Sequence, residues 1–342
     1  MRMIIAKVDR ESRVAAVAER ISRLASATLL IYRRLIPPGE GRHSMRRISF
    51  QDGITYTFGP SMTPIAKVRS GETVEFACQD ACGGQIRSEK DTLDDLDMDR
   101  VNGATGPVGV IGSRAGDVIR IRIREIRVAE LGFQSIVSGH GVLGDEVRKS
   151  RTKMIPIEDG IAIFSKRIRV PTRPHVGTIG VAPAEKEWTT FYPGDHGGNL
   201  DTKEISKGSS VYLPVFQSGA QLAMGDIHAL MADGEVCVTG IEIAGTVRVQ
   251  VDVLRGVALK RPLVETADSW MTLASAPTLD EAAKLATHDG VEMLARGADL
   301  SWDEAYMLAS IACDLRISQD VDPWRTAKLV IPKSLVRRLP QG

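Results

Sequence analysis

From about residue 46 the chain is cut by Gly and Pro into short runs whose apolar residues recur at every second position. That period places one face of a strand in a core and the other in water. Ile119, Ile121 and Ile123 alternate with Arg120, Arg122 and Arg124, and the apolar phase then slips by one to Ile126 and Val128. A slip of one residue exchanges the two faces, so a bulge or a new strand is expected within 118–128. Val247, Val249, Val251 and Val253 give a second strict alternation, over 246–254. Further strands are expected at 54–58, 73–77, 161–169, 211–215 and 235–243. Many short strands with little helix between them favour a mainly β sandwich or barrel over a parallel α/β sheet.

Helix returns only near the C-terminus. Thr278 with Glu281, and Ser301 with Glu304, are capping-box pairs that open apolar stripes. They predict one helix from 279 to 296, stopped by Gly297, and a second over 302–315, before a last strand at 329–331. A small α/β portion with two helices (256–335) thus follows a β-rich portion (46–255), together forming one folded region within 45–342. Residues 1–44 stand apart, with nine Lys/Arg and four acidic residues. Val14, Val17, Ile21 and Leu24 recur there at helical spacing, the pattern of an amphipathic helix in an N-terminal extension. This stretch lacks the apolar core and small-residue cleavage site of a secretory signal, and Met45 offers an alternative start.

Composition removes several function classes. Lys plus Arg is 44 and Asp plus Glu is 43, which gives no electrostatic pull toward nucleic acid or an anionic membrane. Aromatics at 5% argue against a stacking platform for single strands. No run of 18 apolar residues is present, so no helix is expected to span a bilayer. Four cysteines in 342 residues read as reduced thiols in a cytoplasmic protein, since Cys78 and Cys82 lack a second pair to complete a zinc knuckle.

The residues that could carry chemistry concentrate between 193 and 242. Asp195-His196-Gly197-Gly198-Asn199-Leu200-Asp201 is a tight bend that can aim His196 and Asp201 at one point, though a plain surface turn has the same composition. Asp226 and His228, two apart, share a face if extended, and imidazole with carboxylate suits zinc or a similar ion. A solvated pair on a hairpin is the alternative. Glu235 lies seven residues beyond His228. A carboxylate beside such an ion is the usual general base of metallohydrolases. Glu242, inside Ile241-Glu242-Ile243, is a second base or ligand if it faces inward. His140, flanked by Gly139 and Gly141, is a third catalytic candidate. Asp80 with Gly83-Gly84-Gln85, the 102–107 loop, and Gly197-Gly198 could offer substrate or oxyanion contacts. His43, His175 and His288 show no constellation. No Gly-x-Ser-x-Gly elbow and no phosphate-binding glycine motif is present.

These blocks carry a resemblance. Ile179-Gly180-Val181-Ala182-Pro183, Pro193 to Asp201, Tyr212-Leu213-Pro214, Gly225 to His228, Gly234-Glu235 with Ile241-Glu242, and Asp314 to Gln319 follow one another as in the acetamidase/formamidase family. So do Gly83-Gly84-Gln85, Thr105-Gly106-Pro107 and Tyr306-Met307-Leu308, and coverage runs from about 46 to 335. The resemblance implies a mainly β fold with a small α/β portion, hydrolysis of short amides to acid and ammonia, a divalent metal and self-association into a dimer or larger. It places His196, Asp201, Asp226, His228 and Glu235 in or beside the site. The expectation is therefore a zinc ion held by His196, Asp201, Asp226 and His228, with Glu235 as base. Asp195, Cys313 and His140 depart from the family pattern and bear on substrate choice. Two other readings use the same residues: a hydrolase of lactams or formyl-amides, and a non-catalytic metal- or ligand-binding β protein.

Overall fold

The computed structural model describes residues 46–339, and the helix expected in 1–44 lies outside them. The fold is mainly β with two helices near the C-terminus, as expected. A nine-stranded sheet runs in the order Arg46–Ser49, Thr73–Cys78, Gly245–Leu254, Val118–Val128, Ser210–Pro214, Leu263–Glu265, Ser269–Ala276, Arg325–Pro332 and Asp314–Gln319. A second sheet orders Gly197–Asn199, His175–Gly180, Leu222–His228, Ala104–Ile111 and Ile54–Thr55, with Ala66–Arg69 pairing in parallel to Ala104–Ile111. The two sheets face each other across one core. Ile119, Ile121, Ile123, Val247, Val249 and Val251 of the first pack with Val176, Ile179, Leu222 and Met224 of the second.

The alternating strands behave as their period dictates. Ile119, Ile121 and Ile123 are buried, while Arg120 and Arg122 reach across to Asp252. The expected slip is a bulge. Arg248 pairs with Glu125 but Val249 pairs with Ile123, so Arg124 is the extra residue. Two expected strands differ. The 161–169 segment is a hairpin of Ile161–Ile163 and Arg169–Pro171. The 235–243 segment is not a strand. Positive φ at Glu235 (44°) and Val238 (86°) turns the chain back on itself, and within it only Glu242 forms bridges, to Phe133 and to His228.

The helices begin where the caps place them. Thr278 accepts from the Glu281 N–H, and Ser301 with Glu304 closes a full capping box. α1 (Leu279–Ala298) runs past Gly297 and stops at Asp299, whose φ is 54°. α2 (Trp302–Ala312) is shorter than predicted, because Asp314–Gln319 leaves the helix to pair with Arg325–Pro332. Both helices cover one face of the sheet's last strands, where Leu329 and Ile331 meet Val291 and Leu294. No described helix is long and apolar enough to cross a membrane.

On the opposite face of Arg325–Pro332, Lys328 is fully buried. Its Nζ donates to Glu204 Oε2 and to Asp233 Oδ1, each at 2.6 Å, and Lys203 pairs with Asp233 at 2.5 Å. One lysine thereby joins the loop after Asp201 to the loop before Glu235. Removing one partner of a buried pair strands the others. Lys328→Met should therefore lower unfolding free energy by about 3 kcal/mol, measured by chemical denaturation; a change within error would show the network to be dispensable.

Candidate active site

His228 ends the Leu222–His228 strand, opposite His175 in the neighbouring strand. Around its ring the fold gathers four carboxyls, with a fifth behind them. Asp226 Oδ1 and Glu242 Oε1 lie 3.3 and 3.0 Å from Nε2, and Glu235 Oε1 lies 3.8 Å away. Asp201 Oδ1 approaches Nδ1 at 3.9 Å. Asp322, next to Asp201, accepts from Asn199 Nδ2 at 2.9 Å. Asp201, Asp226, His228, Glu235 and Glu242 are each no more than 6% exposed. Among the described residues no Lys or Arg pairs with any of the five acids.

The backbone is bent to allow this. Asp201, Asp226 and Glu235 all adopt positive φ, of 39°, 53° and 44°, a conformation that costs an ordinary L-residue energy and clusters at functional sites. Space is also reserved. A Cβ on Gly177 would fall against both Asp201 Oδ1 and Asp226 Oδ2, closer than side chains tolerate. Behind the acids, Thr178 Oγ1 donates to Asn102 Oδ1 at 3.0 Å and also contacts Asn199, while Asn102 Nδ2 donates to Asn199 Oδ1 at 3.1 Å.

Protons follow from the crowding. Burial, then the charge of Asp226, pushes Asp201 up to about 7. Burial with Asp226 pushes Glu242 up to about 8 despite His228. Burial and Asp201 hold both Glu235 and Asp322 well above the usual carboxylate range. Burial opposes charge on His228, yet Glu242 and Asp226 raise it well above an ordinary imidazole. Burial and His228 push His175 well below. The tautomers follow from the partners. His175 Nδ1 faces the Arg173 carbonyl at 3.3 Å, which can only accept, so its Nε2 is the acceptor for His228 Nδ1–H at 3.0 Å. In neutral His228 the lone pair then sits on Nε2, facing the acids.

These residues fit a divalent cation. Asp201, His228 and Glu235 form one set of donor atoms within 4.8 Å of one another, and Asp226, His228 and Glu242 form another. Asp201 Oδ1 and Glu242 Oε2 are buried with no hydrogen-bond partner, a cost that a cation would relieve.

Of the residues singled out in the sequence, Asp201, Asp226, His228, Glu235 and Glu242 converge, and others do not. His196 is placed elsewhere. It is bonded opposite Val181, six positions along the strand from the His175–His228 pair, roughly 20 Å away at strand rise. Its neighbours are Phe58 and Trp188, and burial alone lowers it to about 4. Gly197 spends its N–H on the Gly194 carbonyl at 3.0 Å, and a Cβ on Gly197 or Gly198 would strike the carbonyl of Ile179 or Tyr192. Their smallness serves close packing, with no free donor at Gly197. Gln85 uses both ends of its amide on the Asp97 backbone. Asp80 accepts from the Gly84 N–H at 3.1 Å, a turn cap close enough to feel the charge of Asp226. His140 is exposed in a loop whose Val142 N–H bonds the Val236 carbonyl, next to Glu235 in sequence. Asp195 turns outward to Arg261 at 3.2 Å. His175, Gly177 and Asp322 were not apparent from sequence. The only sequence signal for Asp322 is its nearness to Ser318-Gln319, and Gln319 Oε1 indeed accepts from the Asp322 N–H at 3.0 Å.

The Acetamidase/Formamidase family matches residues 46–191 and 184–337. The chain belongs to that family. It is 28% identical over 266 residues to a formamidase of Methylophilus methylotrophus, covering 60% of this chain and 65% of that protein. The chain thus spans just under two thirds of that relative's length. The crystal structure of an acetamidase from Bacillus halodurans matches with a TM-score of 0.84 and 42% identity, over 86% of this chain and 99% of that one. An acetamidase from Yersinia enterocolitica matches with a TM-score of 0.81 and 31% identity, over 87% and 94%.

The space beside Gly177 gives a direct test. Gly177→Ala should leave the fold intact and displace the Asp201 and Asp226 carboxylates, so that calorimetric titration with zinc as the probe ion should read an affinity at least about tenfold weaker than that of the unsubstituted chain. Unchanged affinity would show that the Asp201–Asp226 pair is not part of a cation site.

Proposed function

We propose that this acetamidase/formamidase family member is a metal-dependent amidohydrolase that splits short linear amides into carboxylic acid and ammonia. The supporting observation is the burial of four carboxyls around one imidazole, with Asp322 behind Asp201 and no Lys or Arg paired to them among the described residues. Such a group must be neutralised by protons or by a cation. We propose further that the ion is zinc, that the chain self-associates, and that it works in the cytoplasm. Asp226, His228 and Glu242 would hold the ion, with Asp201 as a further ligand through its unpartnered Oδ1. When bound, the ion supplies positive charge that polarises the amide carbonyl and makes a water easier to deprotonate.

The chain's own groups do the rest. Glu235 stands farther from His228 Nε2 than Asp226 or Glu242 do. Its high proton affinity suits a group that takes a proton from water and later gives it to the leaving nitrogen. His175 fixes the tautomer and orientation of His228 from behind. The Thr178–Asn102–Asn199 network holds Asp322 against Asp201. Short amides such as formamide and acetamide are the proposed substrates, consistent with the names of the relatives.

Glu235→Gln should keep zinc binding and fold while turnover falls on the order of 10²–10⁴-fold, read as ammonia release from formamide and acetamide. Near-normal turnover would remove Glu235 from the proton-carrying role.

The acids also predict a pH dependence. Asp201 at about 7 and Glu242 at about 8 are raised above their unfolded values. The metal-free native state therefore holds protons that the unfolded chain sheds above roughly pH 4. Their stabilising contribution is full below that pH and is lost as pH rises through 7 to 8. Chelator-treated protein should unfold at lower denaturant near pH 9 than near pH 6. Zinc added at neutral pH should restore stability and release protons into weakly buffered solution. Greater stability of the metal-free protein at the higher pH would contradict the account.

A further inference from the structure

We infer that two copies of this chain join edge to edge through the Asp314–Gln319 strand, antiparallel, with the two α2 helices flanking the seam. This deepens the self-association proposed above and rests on it. The strand is the outermost of the nine-stranded sheet. Among the described residues, positions 314–317 pair with Arg325–Pro332 on one side only. Gly234 covers the far end, accepting from the Asp320 N–H and donating to the Ser318 carbonyl. An open edge presents a row of N–H and C=O groups ready to bond another strand, and proteins usually blunt it with charge, proline or a bulge.

Here the open stretch is instead lined with apolar side chains. Leu315 is 53% exposed, and Ile317 is exposed beside it. Their register partners, Leu329 and Ala327, pack against the helical layer, so Leu315 and Ile317 share that face of the sheet. α2 adds Met307 and Ile311, the latter 83% exposed. Four large apolar side chains are thus exposed on one helix and on the strand that follows it.

Charge selects a second copy as the occupant. With a two-fold axis at Leu315, Asp314 of each chain lies opposite Arg316 of the other. The same two residues now pair within one chain at 2.5 Å. Moving the axis to either neighbouring residue sets Asp314 or Arg316 against its own copy, which is repulsive. The run Asp314-Leu315-Arg316-Ile317 is therefore self-complementary in one register, as an isologous two-fold contact requires.

The test is the mass of the full chain by sedimentation velocity, with circular dichroism confirming the fold. Wild type should sediment as a dimer or a multiple of one. Leu315→Lys and Arg316→Asp should each weaken association at least tenfold, and the double swap Asp314→Arg with Arg316→Asp should restore it. A monomeric wild type overturns self-association itself. An oligomer unmoved by all of these variants overturns this surface and leaves self-association standing. Loss of mass on deleting residues 1–44, with the strand variants unmoved, gives the contact to the extension and also overturns it. A double swap that stays dissociated overturns the register.

Discussion

The repulsion among Asp201, Asp226, Glu235, Glu242 and Asp322 is the interaction around which this molecule is arranged. Left to themselves, five carboxyls would not share one buried neighbourhood, because each ionised member raises the cost of charging the next. The fold holds them by several means at once. Positive φ at three of the acids aims their side chains inward, Gly177 leaves room between two of them, and Lys328 ties down the loops that carry Asp201 and Glu235. In the absence of a cation, protons take up the charge, which is why Glu242 sits near 8 while Asp226, facing His228, stays ionised. Protons and the proposed metal ion would thus be alternative ways of neutralising the same cluster.

Most of that cluster was legible in the sequence because its members come in short-range pairs. Asp226 and His228 are two apart on a strand, and a period of two puts them on one side. Glu235 and Glu242 flank a turn whose Gly234 announces it, although the reading of 235–243 as a strand missed how the turn works. Val236, Val238, Ile241 and Ile243 mimic an alternation. The chain instead reverses at Glu235 and Val238, and that reversal brings two glutamates seven residues apart to one ring.

What the sequence could not show was strand register between distant segments. His196 has the right chemistry and a glycine-rich setting, yet the register of its strand against His175–Gly180 puts it at the other end of that strand from His228. There it packs among aromatic rings, and among the described residues no carboxyl pairs with its ring. His175 had looked isolated for the opposite reason. Its partner lies 53 residues away and meets it only through pairing. The fold class fared better, since alternation, bulge and helix caps are local signals that tertiary packing did not overrule.

Asp322 changes how the C-terminal portion is understood. The helices and their strands read in sequence as a small α/β addition to a β body, but they share the nine-stranded sheet with it. Its last two strands brace the candidate site: Gln319 fixes the loop bearing Asp322, and Lys328 fixes the loops bearing Asp201 and Glu235. The strand that carries Gln319 is also the sheet's outer edge. Its two ends therefore do different work, the inner end bracing acids at His228 and the outer end presenting apolar groups to solvent. In the proposed edge contact a second copy would stiffen the same strand that braces the acids, so association and the geometry of the cluster would be linked through five residues of one strand, Leu315 to Gln319.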